Sequence, residues 1–165
     1  MRLFFALWPP PEAARALFGF AQEVQGISGG RVTAQGKIHL TLAFLGEADP
    51  AKAVRAARTV KGNVHELPIE EARYWRENHI VWAGPREAPV ELKALHQRLG
   101  MALYREEFML ERRAFAAHVT LVRKARAARL PPIPALRWPV REFFLVRSMR
   151  SSYEPLERFA LSPPA

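Results

Sequence analysis

Two histidines 79 residues apart sit in nearly the same short sequence, Ile38-His39-Leu40-Thr41-Leu42 and Ala117-His118-Val119-Thr120-Leu121. Successive side chains of a strand alternate faces, so each stretch would turn its His and Thr to one side and its aliphatic residues to the other. A single His-x-Thr tripeptide says little, because both residues also occur in half-buried strands for structural reasons. Two copies in matching contexts point to two strands that present a pair of imidazoles and a pair of hydroxyls to one groove. Imidazole ordinarily titrates near pH ~6.5, so one ring can be neutral while another is protonated, the first serving as base and the second as acid. Threonine hydroxyls can donate to the non-bridging oxygens of a phosphate, and an arginine can balance charge that develops there. Arg123 is the nearest arginine. Strict alternation turns it away from His118 unless the strand ends or bends after Leu121.

Composition narrows the chemistry further. The chain has 165 residues, 49% of them hydrophobic and 25% charged, which suits a single compact unit over residues 1–165. It contains no cysteine, so disulfides, thiol catalysis, Fe–S clusters and cysteine-ligated zinc are excluded. His65, His79 and His96 lie at no metal-ligand spacing, His96 being expected on a helix surface, and no glycine-rich phosphate loop is present. No metal and no cofactor are expected. The net charge of +9, with 20 arginines against 5 lysines, makes polyanions the first partners to consider, a basic surface kept for solubility being the competing explanation. The apolar run Leu3 to Trp8 is too short for a membrane span or a signal sequence, so a cytoplasmic protein is expected.

The elements that must position the two motifs follow from periodicity. Arg2 to Leu7 reads as a strand ending at Pro9-Pro10-Pro11, and Pro11 to Gln25 as an amphipathic helix stopped by Gly26 and the Gly29-Gly30 pair. Ile38 to Leu45 is a strand, followed by a turn in which Asp49 caps a helix over about Pro50 to Val60. Leu67 to Trp75 and His79 to Ala83 read as a hairpin through Arg76-Glu77-Asn78. Leu92, Leu95, Leu99 and Leu103 fall at helical spacing within Val90 to Phe108. Ala117 to Val122 is a strand, Lys124 to Pro139 a long basic loop, and Val140 to Ser148 and Leu156 to Leu161 are closing strands. Helices mixed with hairpin-joined strands favour α+β.

The doubled motif, the opening Arg2-Leu3-Phe4-Phe5-Ala6, the run His39-Leu40-Thr41-Leu42-Ala43-Phe44-Leu45-Gly46 and the late Tyr153-Glu154-Pro155-Leu156 resemble the 2H phosphoesterase superfamily. Within it they are most similar to the bacterial and archaeal RNA 2′,3′-cyclic phosphodiesterases, historically called 2′-5′ RNA ligases. The resemblance implies a bilobal α+β fold with two antiparallel sheets related by a pseudo-twofold around a central cleft, helices outside. It implies hydrolysis of RNA 2′,3′-cyclic phosphate ends to 2′-phosphates, without metal or cofactor; a monomer with no membrane partner is expected. By the same resemblance His39 is the proton donor to the departing 3′ oxygen, His118 the proton acceptor from water, Thr41 and Thr120 hold the phosphate, and Arg123 matches the arginine after the second motif. The family's reverse reaction implies RNA with a 2′-5′ linkage as a further partner. This chain departs from the pattern at Ala117, where proline is usual, and at Ser151-Ser152, where glycine precedes the tyrosine.

Two alternatives stand beside this expectation. One is a non-catalytic RNA-binding module with a phosphate-holding cleft, and the other a catalyst of ligation or of small cyclic nucleotides. Phe5, Phe44, Trp75 and Tyr153 could stack on a base, and Arg123 to Arg137 could track an RNA backbone, core packing and a solvated loop being the competing readings.

Overall fold

The computed structural model describes residues 1–111 and 113–163. The elements are β1 (Arg2–Leu7), α1 (Pro11–Ser28), β2 (Arg31–Val32), β3 (Leu40–Glu47), α2 (Pro50–Arg58), β4 (His65–Ile69) and β5 (Glu71–Trp75). They continue with β6 (Ile80–Gly84), α3 (Val90–Arg105), β7 (Val119–Arg123), β8 (Leu136–Val140), β9 (Glu142–Ser148) and β10 (Tyr153–Ala160). The fold is α+β with two antiparallel sheets. The larger runs β10-β9-β1-β3-β7-β6-β5 with β2 added against β7, and the smaller is β4-β8.

The eight-stranded sheet consists of two halves that meet at one register pair, Leu40 of β3 opposite Val119 of β7. Those positions are 79 apart, the same offset as the two motifs. An antiparallel pair has a local twofold axis, and this one carries His39 onto His118 and Thr41 onto Thr120. Leu40 and Val119 are both fully buried and point into the main core, so the alternating His and Thr side chains point to the opposite face. The pseudo-twofold is therefore built on the junction of the halves.

Helices cover the core face. α1 contributes Leu17, Phe20, Ala21 and Val24, α3 contributes Leu92, Leu95, Leu99 and Leu103, and α2 approaches on Ala53, Ala56 and Ala57. Each fully buried leucine contributes roughly 1.5–3 kcal/mol of transfer free energy. On the other face Phe4, Ala6 and Val146 form a small satellite cluster beneath the cleft. Among the described residues no helix is long and apolar enough to cross a membrane.

Several boundaries differ from the periodicity reading. α1 runs through exposed Gly26 to Ser28 and ends where Gly29, at φ +64°, donates its N–H to the Gln25 carbonyl. Gly26 costs the helix some stability but does not break it. α3 stops at Arg105, three residues before Phe108, because Glu107 adopts φ +67° and the N–H groups of Glu107 and Phe108 close onto the carbonyls of Tyr104 and Leu103 in a Schellman turn. The stretch Leu67 to Trp75 is two strands, since its first part pairs with β8 and its second with β6. The expected loop Lys124 to Pro139 ends in β8, where Leu136, Trp138 and Val140 face inward and Pro139 faces out in a two-stranded sheet that tolerates its missing N–H.

Candidate active site

The two motif strands share an irregularity. β3 has an extra residue at Leu42, between the pairs Ala6–Thr41 and Phe5–Ala43, and β7 has one at Leu121, between Trp82–Thr120 and Val81–Val122. Leu42 and Leu121 are again 79 apart. A β-bulge reverses the alternation of everything beyond it. Val122 therefore enters the core, fully buried, and Arg123 returns to the face of His118 and Thr120. This is the bend after Leu121 that Arg123 requires. Its counterpart across the dyad is Phe44, turned to the same face by the bulge at Leu42 and 54% exposed. The halves thus match in their His and Thr residues and differ beyond the bulge, one offering a cation and the other an aromatic ring.

His39, Thr41, His118, Thr120 and Arg123 line one cavity of about 640 Å³. All five residues singled out from the sequence are brought together. Phe44, Trp75 and Tyr153 line it as well, whereas Phe5 is fully buried in the core and cannot meet a base. Of the stretch Arg123 to Arg137, Arg123 alone among the described residues lines the cavity. Chain alternation could have identified Phe4, which faces opposite Phe5 and lies under His39, but Trp8 follows the end of β1 and Trp82 sits within an all-apolar strand, where periodicity carries no signal.

Both imidazoles are oriented by the same backbone bond. Nδ1–H of His39 donates to the Lys37 carbonyl at 2.7 Å, and Nδ1–H of His118 donates to the Ala116 carbonyl at 2.8 Å. A carbonyl can only accept, so in each neutral ring Nε2 carries the lone pair. Thr41 donates its hydroxyl to Nε2 of His39 at 3.1 Å. The backbone carbonyl of Thr120 accepts from the Thr33 hydroxyl at 3.1 Å.

The rings sit in aromatic boxes of unequal depth. Trp8 stacks on His39 with centroids 5.0 Å apart, Tyr153 meets it edge-on at 5.3 Å and Phe4 lies at 5.1 Å. His118 has Trp75 edge-on at 4.6 Å and Trp82 at 6.3 Å. Burial disfavours the imidazolium and lowers the pKa of His39 to about 4, helped by the positive charge of Arg123 and opposed by the bond to Lys37. Burial lowers His118 below its usual value too, again with Arg123 pushing in the same direction. Both shifts favour the neutral imidazole in the free protein at neutral pH.

The remaining histidines stand apart. His65 donates Nδ1–H to the Asn63 carbonyl at 2.9 Å, and His79 bonds the Tyr74 hydroxyl at 2.9 Å. His96, expected on a helix surface, is half-buried and stacks on Phe115 at 4.0 Å. Among the described residues no group of three or more His, Asp or Glu side chains is placed to hold a metal ion.

Comparison with known proteins fits this arrangement. The family model described as LigT-like phosphoesterase matches residues 7–82, which include the first motif. The chain is 33% identical to the RNA 2′,3′-cyclic phosphodiesterase of Escherichia coli, over 98% of this chain and 97% of that protein. The chain belongs to the LigT-like phosphoesterases. Another member, the RNA 2′,3′-cyclic phosphodiesterase of Thermus thermophilus, is 32% identical over 98% of this chain and 90% of that protein. The crystal structure of Escherichia coli LigT complexed with 3′-AMP superposes with a TM-score of 0.85 at 31% identity, covering 97% of each chain. As a LigT-like phosphoesterase the chain is an enzyme, and the expected α+β architecture holds.

Proposed function

We propose that this enzyme hydrolyses the 2′,3′-cyclic phosphate ends of RNA to 2′-phosphates, the whole chain acting as one bilobal unit. The observation that carries the reading is the pair of imidazoles, each with Nδ1–H held by a backbone carbonyl two residues earlier, that line one cavity with two threonines and Arg123. The names of the Escherichia coli and Thermus thermophilus relatives support the substrate.

In the proposed step His118 Nε2 takes a proton from water as its oxygen attacks phosphorus. The P–O3′ bond breaks on the opposite side, and His39 Nε2–H gives its proton to the departing 3′ oxygen. The P–O2′ bond remains, so the product is a 2′-phosphate and a 3′-hydroxyl. Thr41 and Thr120 hold the non-bridging oxygens, and Arg123 offsets the charge that grows on them. A low pKa makes protonated His39 a strong proton donor, and the bound phosphate anion supplies the field that loads it. Run backwards, with a 5′-hydroxyl in place of water, the same groups would form a 2′-5′ phosphodiester. The test is incubation of the enzyme with an oligoribonucleotide ending in a 2′,3′-cyclic phosphate, read by phosphorus NMR. The expected product is the 2′-monophosphate alone, and a 3′-monophosphate or unchanged substrate would overturn the reading.

A further inference from the structure

The cavity carries more positive charge than one cyclic phosphate needs. Besides Arg123 it is lined by Arg31, Lys37 and Arg150, and among the described residues no aspartate or glutamate lines it. Among the described residues none of these four cations is in an ion pair. Arg31 is the informative one.

β2 follows the edge of β7 that β3 leaves, with Arg31 opposite Arg123 and Val32 opposite Val122. Residues directly opposite in an antiparallel pair share a face with Cβ atoms about 5 Å apart, and like charges there are destabilising. The bulge that turns Arg123 into the cleft therefore brings Arg31 beside it. The arrangement is held firmly: Thr33 N–H donates to the Leu121 carbonyl at 2.8 Å, and Gly30, at φ +91°, lies so near that a Cβ there would come 2.4 Å from the Arg123 carbonyl oxygen. The backbone thus holds two arginines opposite each other, both lining the cavity, and among the described residues no carboxylate lines it with them. In the reaction proposed above, the single charge of a cyclic phosphate is met by Arg123 and one imidazolium. Arg31 is left facing the space beside it.

We infer that Arg31 binds the phosphodiester on the 5′ side of the terminal nucleotide and thereby selects polynucleotide ends over free nucleoside 2′,3′-cyclic phosphates. The inference rests on the hydrolysis reading and names its substrate class. A planar guanidinium can grip two non-bridging oxygens of that phosphodiester at once, whereas a free cyclic nucleotide offers only a 5′-hydroxyl there. Arg31 touches no reacting atom and sets specificity alone.

The test compares adenosine 2′,3′-cyclic phosphate with its 5′-phosphorylated form and with the dinucleotide ApA ending in the same cyclic phosphate, in the wild type, Arg31→Ala and Arg31→Lys. Both kcat/KM and the dissociation constants of the 2′-phosphate products are measured. The wild type is expected to favour both phosphate-bearing compounds by about tenfold or more, the size of one charge-assisted hydrogen bond to a phosphate. Arg31→Ala should bring the ratios close to one, with Arg31→Lys between. A wild type without preference, a preference that survives in Arg31→Ala, or a loss in that variant equal for all three substrates would overturn the inference. Product affinities do not require turnover, so an enzyme that cleaved none of the substrates while Arg31 still set the affinity gap would sink the hydrolysis reading and leave the subsite standing.

Discussion

At the scale of single residues, the proposed reaction depends on two imidazoles that must occupy opposite protonation states. His39→Ala and His118→Ala should each lower kcat by a factor of ~10²–10⁴ while circular dichroism and Tm stay near the wild-type values. Burial lowers both rings, His39 to about 4 and His118 to below its usual value, so the free-enzyme form with one ring protonated is most populated on the acid side of pH ~6.5. The kcat/KM profile should peak there, and the kcat profile should peak at higher pH because bound phosphate favours the imidazolium. A kcat/KM optimum above neutrality would contradict this. Stability has the matching sign: between pH ~6.5 and about 4 the unfolded chain binds a proton at His39 that the folded chain refuses, so Tm should fall as pH drops through that window and fall less in His39→Ala.

At the scale of elements, the site is made by defects in regular structure. Gly84 at the end of β6 is a second point of close approach, since a Cβ there would lie 2.6 Å from the Ala117 carbonyl oxygen, directly before His118. Gly84→Ala should push β7 aside, lower stability by about 1–3 kcal/mol and reduce kcat with it, whereas Gly100→Ala, which meets nothing within 4 Å, should do neither. Thermal unfolding and steady-state kinetics of the two variants separate the cases. The same defects mark the limit of what periodicity reveals. Alternation alone places His39, Thr41, His118 and Thr120 on one face, because each motif is a regular strand segment up to its bulge. It cannot place Arg123 or Phe44, because a bulge depends on cross-strand partners, here Trp82 and Ala6, far away in sequence. β8 is not legible because Pro139, with Pro131, Pro132 and Pro134 just before the strand, resembles a loop until β4 is supplied as its partner, and the aromatic boxes around the histidines are long-range for the same reason.

At the scale of the whole molecule, the +9 charge and a cavity lined by Arg31, Lys37, Arg123 and Arg150 act together. The charge should steer a polyanion to the cleft and make its binding weaken as salt rises, with a log–log slope of about 0.7 per phosphate contact for a single strand. Affinity for an oligonucleotide product measured from about 50 to 200 mM salt checks this. Two imidazoles supply both proton transfers, so the proposed chemistry requires no electrophilic cation, and turnover should survive EDTA. Loss of activity on chelation, restored by a divalent ion, would contradict the mechanism. The central claim is that His39 and His118 grip one phosphorus centre from two sides of a local dyad. A crystal of this enzyme soaked with inorganic phosphate tests it most directly. One phosphate with oxygens within ~2.6–3.2 Å of both Nε2 atoms is the expected result, and an anion bound to the arginines but out of reach of either ring would contradict it.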